Sequence, residues 1–256
     1  MSTQEQRVAL FIDADNAPAS HIDVILAELA QHGTVCIRRA YGNWKGERLA
    51  SWEKLLHEYA IQPVQQFDLT KGKNATDIAL VIDAMDALFA RNIDVFAIVS
   101  SDCDFTPLAT RLQADGKRVI GFGERKTPVP LVNACSTFLY LENDVEPPDP
   151  EPGPARDPAR LAAVPVNLKG DARLINLLRG AVHSAESEDG WAHLGKIGQL
   201  IANQASFDSR NYGFKKLADL YRAIDLFEVQ ERGGHLAVRD RRAGRSRGAT
   251  AEGGAS

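Results

Sequence analysis

Residues 8–16 read VALFIDADN, five apolar positions from Val8 to Ile12 followed by Asp13, Asp15 and Asn16. An unbroken apolar run of this length is the mark of a strand buried on both faces. Carboxylates have no place inside such a strand, so they mark its carboxyl end, the edge where open α/β sheets carry their sites. The shape recurs once: Val95 to Val99 leads into Ser100, Ser101, Asp102, Cys103 and Asp104. Two strands ending in paired acids predict one shared acidic pocket.

Outward from these strands, apolar β-branched runs alternate with helical periodicity over the first 141 residues, the pattern of a parallel sheet covered by helices. Strands are expected near 7–13, 34–40, 62–67, 95–100, 118–123 and 137–141. Helices are expected over Pro18–Gln31, with Ile22, Ile25, Leu26 and Leu29 on one face, and over Glu47–Tyr59, with Leu49, Trp52, Leu55 and Leu56. Two more fall at Thr76–Ala90 and Thr106–Ala114. The helix at Thr76–Ala90 carries Ile78, Leu80, Val81, Ile82, Met85 and Leu88, so it is expected to be buried on much of its circumference.

From Asp144 to Pro165 the composition changes: seven of the twelve prolines lie there, among acids and few large apolar groups. Such a segment cannot bury enough surface to fold, and 144–167 reads as a linker. Helical periodicity returns with Leu174, Leu177, Leu178 and Val182, then Leu194, Ile197, Leu200 and Ile201, then Phe214, Leu217, Leu220 and Tyr221. A last alternation, Phe227 to Val238 around Gly233-Gly234, reads as a hairpin. The expected division is therefore an α/β domain over 1–143, a small winged helix over 168–239 and a disordered basic tail over 240–256.

Composition excludes little. The chain has 256 residues, 44% hydrophobic and 25% charged, and a net charge of −4, which neither requires nor forbids a nucleic-acid partner. Cys36, Cys103 and Cys135 are odd in number and widely spaced, so reduced thiols are expected rather than a disulfide framework. With no leader-like start and no spanning apolar run of about 20 residues, a cytoplasmic protein is expected.

The candidate chemistry rests on Asp13, Asp77, Asp102 and Asp104. Converging carboxylates repel one another and raise each other's pKa unless a divalent cation neutralises them. Oxygen-only ligands suit Mg²⁺ or Mn²⁺, and such an ion activates water and stabilises charge on a phosphate. Metal-dependent phosphodiester hydrolysis is thus the leading chemistry. Asp15 reads as a turn or capping residue, Asp83 and Asp86 as a solvated face, and Cys103 as a small buried filler. Lys71 and Lys73 precede Asp77 in a basic, glycine-containing loop that either holds a phosphate backbone or is simply exposed. Tyr41, Asn43, Trp44, Lys45 and Arg48 mix aromatic, amide and basic groups as a single-strand binding surface does, or else Trp44 is partly buried and anchors the following helix.

FIDADN, KGKNATDIALVIDAM and IVSSDCDF, taken together and in that order, resemble the NYN domain of the PIN-like nuclease superfamily, in its LabA/DUF88 branch, over residues 5–142. The resemblance implies a Rossmann-like three-layer α/β/α sandwich and a metal-dependent ribonuclease site. It places acidic positions on Asp13, Asp77, Asp102 and Asp104, with Asn16 and Ser101 in support. DGWAHLGKIGQLI and FDSRNYGFKKLADLYRAIDLFEV resemble the OST-HTH/LOTUS domain, a winged helix associated with RNA or protein partners. Read as residues alone, Arg210, Tyr212, Lys215, Lys216 and Arg222 give either a basic helix with an aromatic for phosphate contacts or simply a solvated face. The expectation is an endoribonuclease acting on single-stranded or structured RNA, with no membrane partner. Its alternative is an RNA-binding regulatory adaptor with little or no turnover.

Overall fold

The computed structural model describes residues 5–45, 47–67, 75–141, 168, 170–187, 189–204 and 206–242. The chain divides into two compact units, Met1–Asp144 and Val145–Ser256. The expected linker 144–167, the loop holding Lys71 and Lys73, and the tail beyond 242 lie outside the described residues.

The first unit is a six-stranded, all-parallel sheet: β1 (Arg7–Asp13), β2 (Thr34–Gly42), β3 (Gln62–Gln65), β4 (Val95–Val99), β5 (Arg118–Gly123) and β6 (Thr137–Tyr140), in the order β3-β2-β1-β4-β5-β6. Helices α1 (Ile22–Leu29), α2 (Ala50–Glu58), α3 (Ala75–Ala90), α4 (Thr106–Ala114) and α5 (Val129–Ala134) connect them. The alternation of side chains along β1 divides the core in two. Val8, Leu10 and Ile12 pack with Ile22, Ile25 and Leu29 of α1 and Trp52 of α2. Ala9 and Phe11 pack with Leu80 and Ala84 of α3 and Leu108 and Leu112 of α4. The result is the expected three-layer sandwich, with β1 central and buried from Val8 to Asp13. Strand order reverses between β1 and β4, so the crevice outside their carboxyl ends is the natural site of this topology.

Four details differ from the sequence reading. Strand β2 runs on to Gly42 instead of ending at 40, and Tyr41 pairs with Asp13. Helix α5 is unanticipated, because six residues with a proline in the first turn give no readable period. Helix α3 is not buried around its circumference: Ile78, Ile82 and Phe89 are exposed. It meets the sheet through Leu80, Ala84 and Ala87, whose modest size keeps the axis close to the strands and leaves the far side outward. Asp83 is no solvated bystander. Its Oδ2 accepts a hydrogen bond from the Tyr41 hydroxyl at 2.6 Å and pairs with Arg39 Nη1 at 2.7 Å, fastening α3 to β2. Burial and the adjoining carboxylate push the Tyr41 phenol up, so it stays a donor.

The second unit comprises α6 (Ala172–Ala185), β7 (Ala192–His193), α7 (Leu194–Gln204), α8 (Leu217–Ala223), β8 (Phe227–Arg232) and β9 (His235–Asp240), with strand order β7-β9-β8, antiparallel. This is a winged helix. Asp171 caps α6 by accepting from the Leu174 amide at 2.9 Å. The hairpin turns at Gly233-Gly234, both at positive φ, as a tight two-residue loop demands. Asp240 and Arg241, assigned to the tail on composition, belong to the folded unit: Asp240 closes β9 and pairs with Arg179 at 2.9 Å, and the Arg241 amide donates to the Leu226 carbonyl. Among the described residues no helix is long and apolar enough to cross a membrane.

Candidate metal centre

Asp13 is the last residue of β1 and is fully buried. Its Oδ2 accepts two hydrogen bonds, from Asn16 Nδ2 at 2.9 Å and from the Ser100 hydroxyl at 2.8 Å. Oδ1 is buried too and has no hydrogen-bond partner among the described residues. An ionised oxygen left so costs several kcal/mol unless a cation meets it. Burial pushes the Asp13 carboxyl up, the Asn16 and Ser100 hydrogen bonds oppose this, and the neighbouring Asp15 adds to it.

Ser100 joins the two strand ends. While its hydroxyl donates to Asp13, the same oxygen accepts the Asp102 amide at 3.1 Å. Asp102 in turn accepts the Asp104 amide through Oδ1 at 2.9 Å, capping the short 3-10 turn Cys103–Phe105 that opens α4. That turn gathers Asp102, Cys103 and Asp104, whose ligand atoms all lie within 4.8 Å of one another, and Cys103 is exposed there, not the buried filler the sequence suggests, because the turn carries it on the surface. Asp77 comes from the first turn of α3. Its carboxyl is pushed up to about 6, first by burial and then by Asp13, Asp102, Asp104 and Asp15. Asp13 and Asp77 stand outside the close group of Asp102, Cys103 and Asp104, yet four other carboxylates act on Asp77, a repulsion that a divalent cation would relieve. Oxygen donors, one of them buried and unpartnered, fit a hard cation.

The supporting residues are distributed differently from the sequence reading. Ser101 Oγ accepts the Glu124 amide at 2.8 Å, fixing the loop after β5, whereas the serine that holds Asp13 is Ser100. Ser100 was missed because a serine after a strand has no signal of its own; its role depends on β1 and β4 being neighbours. Asp15 accepts from Thr76 Oγ1 at 3.1 Å, which ties the β1 end to the start of α3, a long-range link and not the local turn or cap contact the sequence suggests. Gly123 lets β5 approach: a Cβ there would sit 2.9 Å from the Ser100 carbonyl oxygen. Ser100→Ala should therefore leave the fold intact yet weaken metal binding roughly 10- to 100-fold, measured by calorimetric Mn²⁺ titration, since both strand-end acids lose their shared support.

The expected nucleic-acid contacts divide in the same way, and Tyr41 drops out of them, because it is fully buried with its hydroxyl on Asp83. Trp44 is an anchor: its indole donates to the Val64 carbonyl at 3.1 Å and its amide to Gln65 Oε1 at 3.0 Å. Lys45 lies with Nζ 4.7 Å from the centroid of the exposed Phe67 ring. In the second unit the basic residues do not form a helix. Arg210 and Tyr212 belong to a 3-10 turn, Ser209–Tyr212, and Lys215 and Lys216 precede α8. Arg210 is held by Asp208 at 2.7 Å, Tyr212 stacks on Phe207, and Arg222 pairs with Asp219, while Lys215 and Lys216 are exposed. The helical spacing seen from Phe214 holds only from Leu217, because the backbone is still extended at Lys216.

Comparison with known proteins places the chain in a family. Over 123 residues the chain is 33% identical to an uncharacterised protein of Methanocaldococcus jannaschii, MJ0482, covering 46% of this chain and 48% of that one. The match thus spans about half the length of the relative. Among solved structures, a Vibrio parahaemolyticus protein of unknown function, VPA0982, aligns at TM-score 0.46 and 18% identity over 55% of this chain and 95% of that chain. An uncharacterised Nitrosomonas europaea protein aligns at TM-score 0.27 and 32% identity over 36% and 92%. The sequence pattern of the OST-HTH/LOTUS domain matches residues 169–236, and that of the NYN domain matches residues 7–142, more than half the chain and all of the parallel sheet. The chain accordingly belongs to the NYN domain family of the PIN-like nuclease superfamily, with an OST-HTH/LOTUS domain following it.

Proposed function

We propose that the protein is a cytoplasmic, Mg²⁺- or Mn²⁺-dependent endoribonuclease whose winged helix, 168–239, contributes to RNA binding across a proline-rich linker. The observation that carries the reading is the unpartnered, buried Oδ1 of Asp13 beside an acid, Asp77, that four other carboxylates push up to about 6. A divalent cation bound by these acids would neutralise them, activate water and stabilise charge on the scissile phosphate. Asp13, Asp77 and Asp102 hold it directly or through water. Asp104 either completes that set or orients the attacking water. Asn16 and Ser100 keep Asp13 in position, and Asp102 reads its own position through Ser100. Cys103 sits exposed between two of the acids, and oxygen ligands from its neighbours serve a hard cation without it.

The test is cleavage of end-labelled single-stranded and structured RNA by the purified full-length chain with Mn²⁺, Mg²⁺ or a chelator. Internal cuts that require the metal are expected. Tight RNA binding with no metal-dependent cut would favour the adaptor instead.

A further inference from the structure

Two clefts flank the acidic site, and they share two residues. The first, of about 380 Å³, is lined by Arg48, Ser51 and Pro18 together with the acids Asp15 and Glu124. The second, of about 330 Å³, is lined by Ser101, Asp102, Cys103 and Pro128. Asn16 and Lys126 line both. The two clefts therefore adjoin at Asn16 and Lys126, with Arg48 on the first and Asp102 on the second, and together they are termed the trough. Arg48 and Lys126 are the cations among the described residues that line it.

We propose that this trough seats single-stranded RNA, with Arg48 and Lys126 each holding a backbone phosphate beside the acidic centre. The assignment rests on the nuclease reading of that centre. A polyanion approaching Asp13, Asp15, Asp77, Asp102 and Asp104 is repelled, and a metal offsets that repulsion only at the phosphate it touches. Cations on the approach must hold the neighbouring phosphates. Both cations have rigid mounts. The loop carrying Lys126 is fixed by Ser101 accepting the Glu124 amide and by buried Thr127 donating to the Glu124 carbonyl at 2.6 Å. Arg48 is followed by Leu49, which is buried and fills the space beside Gly42, and by Trp52, whose indole donates to the Ala17 carbonyl at 3.3 Å.

Lys126 pairs with Glu124, but its side chain is 77% exposed. Exchanging so exposed a pair for a phosphate costs little. Both clefts are shallow and open to solvent, and each presents cations singly instead of at the regular phosphate spacing of a helix. That suits nucleotides entering one at a time from a flexible strand rather than the regular surface of a duplex.

The experiment is fluorescence anisotropy of the full-length chain with a labelled RNA strand of about 12 nucleotides, in Ca²⁺ and over about 50 to 200 mM salt. Arg48→Ala and Lys126→Ala are each expected to weaken binding roughly three- to tenfold at every sequence tested and to flatten the salt slope by about 0.7. The double variant should flatten it by about 1.4. Mn²⁺ binding by calorimetry and the melting temperature should not move, because both side chains are exposed. A double variant with wild-type affinity and slope would overturn the trough, most plainly if Lys215→Ala/Lys216→Ala alone removes the binding. Tighter binding of the matching deoxy strand would overturn the RNA assignment. The two readings fail separately. Metal-dependent, Asp13-dependent cleavage with an unmoved slope sinks the trough alone, and a lost slope in a protein that never cuts sinks the nuclease alone.

Discussion

Asp13→Asn and Asp102→Asn are each expected to lower metal-dependent RNA cleavage by at least about 100-fold while leaving the protein folded. The amide oxygen of an asparagine at 13 can still accept from Asn16 and Ser100, and that of an asparagine at 102 can still accept the Asp104 amide. What each variant loses is negative charge. At Asp13 burial already disfavours that charge, so its removal does not endanger the fold. Single-turnover cleavage beside circular dichroism and a melting curve checks both halves. Cleavage that survives both substitutions would belong to a contaminant.

Asp77→Asn should move function and stability in opposite directions. Burial and four neighbouring carboxylates push the Asp77 carboxyl up to about 6, above the ordinary aspartate value of about 3.9. The folded state therefore binds this proton more tightly than the unfolded chain, and the metal-free protein loses stability as pH rises from about 4 through about 6. At pH 7 the asparagine variant, free of that repulsion, should melt about 2–4 °C higher without metal, and at pH 4 the difference should vanish. Mn²⁺ should stabilise the wild type and do little for the variant. In the wild type, Mn²⁺ affinity should fall as pH drops below about 6, because the proton then competes for Asp77. Differential scanning calorimetry at several pH values with and without Mn²⁺ reads all four quantities. A lower melting point for the metal-free variant at pH 7 would mean that Asp77 is held by favourable contacts rather than strained by its neighbours.

Legibility in the sequence followed how local each interaction is. Strand β1 was readable from VALFIDADN because burial on both faces leaves its trace in consecutive residues. Helix α1 was readable from Ile22, Ile25 and Leu29 because one face meets the sheet. Helix α3 was misread for a related reason: hydrophobicity reports what a residue prefers, not what covers it, and Ile78, Ile82 and Phe89 are exposed. Asp83 looked like a surface acid because its partners, Tyr41 and Arg39, lie some forty residues earlier on another strand. In the second unit, three helices and a hairpin were legible, but the basic helix was not real, since Arg210 and Tyr212 lie in a separate turn and the backbone is still extended at Lys216.

By itself the sequence determined the sandwich and the winged helix and nominated four acids, because each is written in short-range patterns: apolar runs, helical spacing, and carboxylates at element ends. Tertiary structure decided what surrounds those acids. The pairing of β1 with β4 brings Ser100 to Asp13, packing of α3 on the sheet brings Asp77 within reach of four other charges, and the loop after β5 brings Lys126 to Asn16. Those are contacts between residues far apart in the chain, and no local period encodes them. VALFIDADN states that Asp13 ends a buried strand. Only the folded chain leaves its Oδ1 buried without a hydrogen-bond partner, and that atom is the physical reason to expect a metal there.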